Sequence, residues 1–430
     1  METTKEPRNV NLTLVKGGKL SPGEFARLAI AEKVEHLRGI GTTKLRLDMM
    51  VADPDAGELA RSFPPQEMFW LIKEIGEDDA LELIQLCSPE QLIFFLDMEI
   101  WNRRAFSHER FRTWLGYILE GGEDLVRELL PDLDQEIVIL FLKKMIMVGG
   151  GIGELASDEE RLAPWDHSFD NIYFITFKDK EHARLVGTFL DMIYRIDHPL
   201  YLHLMEGVKN EMATELEELA LQFRAGRLAD QEIPEFNEAA TMYARLDPAT
   251  FVPAGTKTPL GATAEGTMPA LAAGAGSFLQ RVLAQAADAG VGAEMLYLVN
   301  SALVAEGSMP FDAETMGYVL QRVHGCLSIA LEYLSDGDEA TAAAIVRKEY
   351  LKRLFQVGWS MLLKLKERAE ELAGDNYTSE RALEGLKARR PRFYRALDPD
   401  RVDGYREFRE LEDVRKMEEL LASLGHGRGK

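Results

Sequence analysis

The chain has little of what marks several large classes of protein. Only two of its 430 residues are cysteine, Cys87 and Cys326, and both lie within apolar helical patterns. This count excludes a disulfide framework, and without a CxxC spacing or a cysteine–histidine cluster it gives no zinc site. We expect both thiols to be buried and structural, because a cysteine in such a pattern packs as a small hydrophobic residue.

Long apolar segments and targeting signals are missing too. No stretch reaches the roughly 18–20 consecutive apolar residues that a membrane-spanning helix needs. The uncharged run at 266–280 is rich in glycine and alanine rather than leucine and isoleucine. The first residues lack the apolar centre of a secretory signal. We therefore expect a soluble, cytoplasmic protein with no membrane partner.

Basic side chains are in the minority, with 50 against 72 acidic ones and a formal net charge of −22. A polyanion repels the phosphates of DNA and RNA, which disfavours nucleic acid as a partner of the whole molecule. Apolar residues make up 46% of the chain, too many for a wholly disordered protein. At about 100–200 residues per domain, the length predicts two or three domains.

Familiar catalytic and nucleotide-binding motifs are also absent. The glycines at 149–153 are not followed by the Lys-Ser/Thr of a P-loop, and they neither follow a predicted strand nor open a helix. The sequence contains no GxSxG and no kinase loop set. These absences favour a non-catalytic role without a resident cofactor, with an uncharacterised enzyme kept as an alternative.

Helix signals dominate what is present. At Ser88-Pro89-Glu90-Gln91 a serine N-cap, a proline at the first helical position and a glutamine two residues later predict a helix start. Strand signals are confined to Asn171–Phe177, a β-branched and aromatic run. The sequence therefore predicts an all-α fold with at most one short strand pair near 171–177. Predicted helices cover 25–37, 64–75, 78–87, 89–102, 107–120, 123–130, 134–147, 180–195, 199–225, 233–245, 277–289, 293–305, 312–335, 337–374 and 379–388.

An internal repeat appears when the chain is shifted by 46 positions. Residues 70–98 then align with 116–144, and eleven of the 29 pairs are identical, including a Gly-Glu-Asp and a Phe-Leu pair. A weaker third copy of the Phe-Leu-Asp-Met segment at 95–98 follows at 189–192. Helix-pair units of about 40–47 residues are typical of α-solenoids, whose extended surfaces bind proteins.

A change of composition marks the main boundary. Residues 249–276 are rich in proline, glycine, alanine and threonine and have little periodicity, which predicts a flexible linker. It separates the N-terminal repeats from a C-terminal helical bundle. The predicted organisation is 1–62 N-terminal helical segment, 63–150 helix-pair repeats, 151–248 helical middle region, 249–276 linker, 277–374 C-terminal helical domain and 375–430 charged tail or arm.

Three segments carry a resemblance to a known family: Ile75–Leu83 with Ser88–Gln91 and Leu96–Trp101, Glu217–Asp230, and Leu354–Gly358. Over most of its length the chain resembles a family of uncharacterised bacterial helical proteins, a domain of unknown function, and this resemblance implies a helical fold without a specific activity. The repeats at 64–147 are also similar to the intracellular N-terminal domain of magnesium transporters and to helical repeats of the flagellar motor switch. The transporter's nucleotide-sensing domains and membrane helices have no counterpart here, so no transport is implied.

Acidic residues recur in register on the two repeats and form a candidate cation-binding ridge. Hard divalent cations take several oxygen ligands, so a divalent-cation sensor is the alternative function. Carboxylates at helix N-termini also favour the helix dipole without any metal, and a solvated or docking face is the default interpretation. The ridge residues are Glu74, Glu77, Asp78, Asp79, Glu82, Glu120, Glu123, Asp124 and Glu128.

A second candidate metal site consists of Asp197, His198, His203 and Glu206. Two histidines and carboxylates can bind a transition metal. No HExxH or other fixed spacing is present, and a helix cap followed by a polar surface stripe explains the same residues. We favour the cap and the stripe.

The candidate interaction surface combines the residues that carry the family resemblance. Paired carboxylates in this region could act as general acid and base if one were buried, whereas a helix with acidic early turns and basic late turns needs only ion pairs. The residues are Asp97, Trp101, Glu217, Glu218, Arg224, Arg227 and Asp230.

The segment 381–395 is locally basic, with six basic residues against Glu384, and Phe393 and Tyr394 lie among them. A basic and aromatic segment can bind nucleic acid, but docking on acidic protein surfaces is the simpler explanation. Taken together, the sequence predicts a non-catalytic interaction or regulatory scaffold that binds an unidentified protein partner. Association with a second copy of the chain is left open.

Overall fold

The computed structural model describes residues 20–151, 165–257, 276–286, 290–307 and 313–426. This part of the chain is mostly helical, with 21 α-helices and three two-stranded antiparallel sheets. The predicted all-α class is therefore confirmed. None of these helices is both long and apolar enough to cross a membrane.

The N-terminal half consists mostly of helices, with one short hairpin and one further antiparallel strand pair. Its elements are α1 (Pro22–Phe25), α2 (Ile30–Arg38), α3 (Thr43–Val51), α4 (Ala56–Arg61), α5 (Pro65–Ile75), α6 (Leu81–Leu86), α7 (Pro89–Glu99), β1 (Trp101–Asn102), β2 (Ala105–Phe106), α8 (His108–Glu120), α9 (Gly122–Leu129), α10 (Gln135–Met145), β3 (Ile146–Gly150) and β4 (Tyr173–Phe177). The next helices are α11 (Ala183–Ile196), α12 (His198–Asn210), α13 (Ala213–Asp230) and α14 (Phe236–Ala240), which a 3-10 turn at Thr241–Tyr243 follows.

The C-terminal half is a bundle with a packed arm. Its elements are α15 (Phe278–Ala286), α16 (Val291–Glu306), α17 (Ala313–Ser335), α18 (Glu339–Lys348), α19 (Leu351–Glu370), α20 (Tyr377–Lys387), β5 (Phe393–Tyr394), a 3-10 turn (Arg395–Leu397), β6 (Tyr405–Arg406) and α21 (Leu411–His426). Helices α17 and α19 pack closely, because Gly358 lets the backbone of α19 lie against the Cys326 carbonyl of α17. Cys326 and Cys87 are both buried and free, as expected.

The start of α7 follows directly from its sequence. Ser88 Oγ accepts a hydrogen bond from the Gln91 amide at 3.2 Å, and Gln91 Oε1 accepts one from the Ser88 amide at 2.8 Å. This capping box satisfies two backbone donors that have no partner inside the helix. The side chain of Gln91 is buried, and its amide also donates to the carbonyls of Ala60 and Phe63.

Each of the two repeat units contains three helices, which agrees with the predicted helix ranges but not with the description of the repeats as helix pairs. The helices are α5, α6 and α7 in the first unit and α8, α9 and α10 in the second, and α10 begins 46 residues after α7. The glycine of the shared Gly-Glu-Asp is explained by the backbone, because Gly76 and Gly122 have φ values of 98° and 84°. Such angles favour glycine, so each unit breaks at the same place and leaves a short middle helix.

Two structural details correct the predicted strand content. The structure contains three strand pairs, β1–β2, β3–β4 and β5–β6, where the sequence predicts at most one near 171–177. The predicted strand is present as β4, and it pairs in antiparallel register with β3. Residues Ile146 and Met147 belong to β3, although the apolar pattern placed them in the preceding helix.

Two long predicted helices are each broken. The pattern at 199–225 belongs to α12 and α13, and the pattern at 337–374 belongs to α18 and α19. The second break is held by Glu349, whose fully buried carboxylate accepts hydrogen bonds from the amides of Tyr350 and Ala254. Such a tertiary contact gives no local sequence signal.

The first part of the predicted linker is packed against the bundle. Lys257 forms an ion pair with buried Glu294 at 2.7 Å, and Arg353 lies over the ring of Phe251. Residues 258–275 of this linker lie outside the described residues, as does the end of the tail after 426. The buried apolar side chains of the described residues form one core cluster that includes both Phe25 and Leu424.

The basic arm docks on its own chain. Arg390 pairs with Glu306 of α16, and Arg392 lies 3.8 Å from buried Glu407. Arg322 of α17 bonds both of these glutamates. The arm is therefore part of the bundle, and glutamates of the same chain compensate part of its positive charge.

Candidate functional site

Helix α13 brings most of the predicted interaction surface together. It packs against α7 and α10, and it extends to Asp230, five residues beyond the end of the helix predicted at 199–225. Leu216, Ala220 and Leu228 are its buried apolar residues. The charged residues between them reach the end of α7 and the β1–β2 hairpin.

Arg227 binds two carboxylates from different helices. Its Nε and one terminal nitrogen donate to Asp97 of α7 at 2.7 and 2.8 Å, and its terminal nitrogens donate to Asp134 at 2.9 and 2.7 Å. Asp97 is 1% exposed. Burial raises the pKa of Asp97 and outweighs the hydrogen bonds from Arg227, whereas those bonds hold the pKa of Arg227 above its usual value.

Arg224 lies one helical turn earlier and is held in one orientation. Its Nε donates to the Asp97 backbone carbonyl at 2.7 Å, and its guanidinium lies 5.8 Å from the ring centre of Trp101. Burial lowers the pKa of Arg224 to about 10, because a desolvated cation is less stable than a solvated one. Trp101 itself is 1% exposed, so the ring against which Arg224 lies belongs to the buried core.

The remaining predicted residues occupy the edge of the same region. Glu217 accepts a hydrogen bond from the Phe106 amide of β2 at 2.8 Å. Glu218 lies 4.0 Å from Arg104, and both side chains are largely exposed. Asp230 is exposed at the end of α13. Six of the seven predicted residues therefore make contacts at the α7–hairpin–α13 interface.

Beside this interface lies a groove of about 400 Å³, which we call the α13 groove. One side is α13, and the other sides are the hairpin turn, residues 233–237 and the end of α16. Three arginines line it, Arg103, Arg104 and Arg224, together with two glutamates, Glu218 and Glu235. Apolar side chains form much of the remaining wall: Met98, Leu221, Leu228, Ile233, Phe236 and Val304.

Sequence reasoning missed the hairpin arginines and Phe236. Arg103 and Arg104 form the two-residue connection between β1 and β2, where Trp101 pairs with Phe106. Arg103 has a φ of 57° and lies over the ring of Phe236 at 5.9 Å. The local signal is weak, because three polar residues, 102–104, separate Trp101 from Ala105 and no glycine marks the turn.

The residues of the second candidate metal site contact other protein groups or solvent, and they form no cluster of metal ligands among the described residues. Asp197 caps α12 by accepting from the Leu200 amide at 2.9 Å, as the capping interpretation predicts. The ring of His198 meets the ring of Tyr194 edge to face and stacks on the ring of Tyr201. Glu206 accepts hydrogen bonds from Tyr173 and from Asn210, and His203 is exposed.

Several residues of the acidic ridges have protein partners. In the described ranges no group of three or more His, Cys, Asp or Glu side chains is arranged to hold a metal ion. Ion pairs or hydrogen bonds join Glu74 to Arg46, Glu77 to Lys73, Asp78 to Tyr117, Glu123 to Arg127 and Arg195, and Glu128 to Arg61.

A wider and more open cleft of about 990 Å³ lies beside the basic arm. Arg322 and Arg390 line it, but both are engaged with glutamates of the same chain. The charge of these two arginines is therefore compensated within the fold. Arg224 in the α13 groove differs, because its terminal nitrogens have no hydrogen-bond partner among the residues that the structure describes.

Comparison with known proteins gives one match. No match to a curated protein or to a solved structure was found. The matching family model confirms the expected likeness to a domain of unknown function over most of the chain. The likeness of the repeats to magnesium transporters stays a prediction. The chain belongs to DUF6178, a family of unknown function, whose model matches residues 22–426.

Proposed function

We propose that this protein is a non-catalytic binding protein that holds a segment of a partner protein in the α13 groove. The observation that carries the proposal is Arg224, a partly buried guanidinium on the wall of a concave site, whose terminal nitrogens have no hydrogen-bond partner in the described part of the chain. Concave sites of about 300–1,000 Å³ with few fixed polar groups are typical of ligand binding.

The chemistry of the site favours binding over catalysis. The buried carboxylate of Asp97 and the adjacent Asp134 are both bonded to Arg227. A general acid or base needs a proton that it can exchange with a substrate, and an arginine-bound carboxylate is poorly suited to that role. The Arg227 contacts instead fix α13 against α7 and α10, which keeps the groove preformed.

A protein segment suits the apolar surface at the groove. Phe236 lines it and is 46% exposed, and Leu219 and Phe223 on the solvent side of α13 are 43% and 46% exposed. Exposed apolar side chains next to arginines are the composition that protein interfaces favour. The net charge of −22 opposes a nucleic-acid partner.

The repeats provide the scaffold in this proposal. We infer that α5–α7 and α8–α10 stack as two units of a short solenoid, since both have the same helix order and their glycine breaks are 46 residues apart. A cytoplasmic location and a regulatory role stay predictions from the sequence. No described group of side chains favours the alternative of a cation sensor.

The proposal is tested by filling the groove. Gln222 is exposed and lines the groove, so Gln222→Trp should block it. The control is Gln321→Trp, at an exposed position on α17. Tagged full-length variants are used to capture proteins from lysate of the source cells.

We expect wild type and the control to retain a protein in about one-to-one ratio, judged by stained gel and mass spectrometry, and Gln222→Trp to lose it. Absence of any stoichiometric partner, or equal capture by Gln222→Trp, would contradict the proposal.

A further inference from the structure

We propose that the partner segment presents an aspartate or glutamate carboxylate next to an apolar side chain, and that Arg224 binds this carboxylate. The inference rests on the proposed function, because it names the chemistry of the segment that the α13 groove holds. It follows from three features: an oriented guanidinium, an excess of positive charge and an apolar wall.

The orientation of Arg224 is fixed before any ligand arrives. Its Nε is bonded to the Asp97 carbonyl at 2.7 Å, and Trp101 lies against the guanidinium. The two terminal nitrogens have no partner within the described residues. A guanidinium fork matches a carboxylate with two parallel hydrogen bonds, and a preset fork loses little side-chain freedom on binding.

Partial burial also favours an anion at this position. Burial lowers the pKa of Arg224, while Asp97 and the nearby Glu235 favour its charged form. Asp97 is already bonded to Arg227. A carboxylate from a partner would supply the hydrogen-bond acceptor that the terminal nitrogens lack.

The charges that line the groove are positive in sum. Three arginines and two glutamates, Glu218 and Glu235, line it, in a chain whose overall charge is −22. The Arg104–Glu218 contact is 4.0 Å long, and its side chains are 73% and 58% exposed. Exposed pairs of this kind are weak, so Arg104 can turn to a ligand at little cost.

The apolar wall of the groove determines which kind of side chain in the partner segment lies next to the carboxylate. Leu221 and Leu228 of α13 face the groove together with Ile233 and Val304. These side chains offer an aliphatic or aromatic residue a place to leave water, whereas a uniformly acidic segment would gain nothing there. The combination therefore fits a mixed acidic and apolar segment.

The test uses three peptides that differ at one side chain: acetyl-Leu-Glu-Phe-amide, acetyl-Leu-Gln-Phe-amide and acetyl-Leu-Lys-Phe-amide. The full chain is labelled with 5-fluorotryptophan, which gives one ¹⁹F signal for each of its five tryptophans. Trp101→Phe identifies the Trp101 signal, which reports on Arg224 because the two side chains are in contact.

We expect the glutamate peptide to shift the Trp101 signal with a dissociation constant about tenfold lower than that of the glutamine peptide, as one charge-assisted hydrogen-bonded pair predicts. The lysine peptide should bind more weakly still. Arg224→Gln should remove the preference for glutamate, Arg224→Lys should keep part of it, and exposed Arg104→Gln should reduce it without a risk to folding. Arg245→Gln, whose partner is Glu367 at the surface of the bundle, is the matched control and should change nothing.

The outcomes separate the two proposals. Equal binding of the glutamate and glutamine peptides, or a glutamate preference that survives in both Arg224→Gln and Arg104→Gln, overturns the inference and leaves the groove as a peptide site. Failure of all three peptides to shift the Trp101 signal contradicts the proposed function as well.

Discussion

Asp97 and Arg227 are 130 residues apart in sequence, and their side chains share two hydrogen bonds of 2.7 and 2.8 Å. The contact joins the first repeat unit to α13, and Arg227 extends it to Asp134 in the second unit. Because Asp97 is almost fully buried, the hydrogen bonds from Arg227 supply most of the compensation of its charge. The pair therefore holds the wall of the α13 groove in place.

Removal of the arginine should destabilise the fold strongly. Arg227→Ala leaves the buried Asp97 carboxylate without its partner, which we expect to lower the free energy of unfolding by about 3–5 kcal/mol. Urea denaturation followed by circular dichroism measures the loss. Arg127→Ala breaks the exposed pair with Glu123 and should cost only about 0.3–0.5 kcal/mol. Losses of similar size in the two variants would refute a structural role for the Asp97–Arg227 pair.

His324 should make stability depend on pH. Burial holds its pKa below the ordinary 6.5, so below pH 6.5 the unfolded chain binds this proton more readily than the folded chain does. The free energy of unfolding therefore rises with pH up to about 6.5 and gains nothing further from this group above it. In His324→Gln the rise between about pH 5.5 and 7.5 should be smaller than in the wild type. An unchanged slope in urea denaturation would mean that His324 titrates normally in the fold.

Two glycines of α17 should respond in opposite directions to alanine. A Cβ atom on Gly325 would collide with the carbonyl of Phe408 in the C-terminal arm, whereas a Cβ on Gly317 meets nothing within 4 Å. We expect Gly325→Ala to lose at least about 2 kcal/mol of stability through overpacking. Gly317→Ala should gain about 0.5–1 kcal/mol from helix propensity. Equal melting temperatures for the two variants would show that the arm does not pack against α17 in solution.

The two thiols should be inert while the protein is folded. Cys87 and Cys326 are 0% and 1% exposed, and burial raises the pKa of both thiols, which suppresses the reactive thiolate. Ellman's reagent should label neither in buffer and both in concentrated urea. Tyr377→Cys, at a position that is 64% exposed in the wild type, provides a thiol that should react at once. Fast labelling of a native thiol would mean that its surroundings open readily.

Local signals in the sequence predicted the helices better than they predicted where long helices break. The start of α7 follows from Ser88, Pro89 and Gln91, which act through contacts three residues apart. The break at Glu349 depends on a hydrogen bond to Ala254, 95 residues away. Likewise, β4 had a strand signal of its own, but its partner β3 continues directly from the apolar pattern of α10. Such choices are decided by tertiary contacts, which periodicity does not encode.

The candidate site was predictable as a set of residues but not as a geometry. Arg224, Arg227 and Asp97 were singled out from the segments that carry the family resemblance, and the structure places them together. Which arginine binds a carboxylate of the chain and which keeps unbonded nitrogens depends on how α7 and α13 cross. The hairpin arginine Arg103 was missed, since a two-residue turn carries only a weak pattern.

The most direct test of the binding claim is photo-cross-linking from inside the α13 groove. Benzoyl-phenylalanine replaces Phe236, which lines the groove, and in a second variant it replaces Tyr377, which is more exposed but lies outside the groove. After irradiation in the source cells, the Phe236 variant should give one discrete adduct with another protein, and the Tyr377 variant should not give that adduct. No adduct from position 236, or the same adduct from both positions, would contradict the proposal that the groove holds a partner segment.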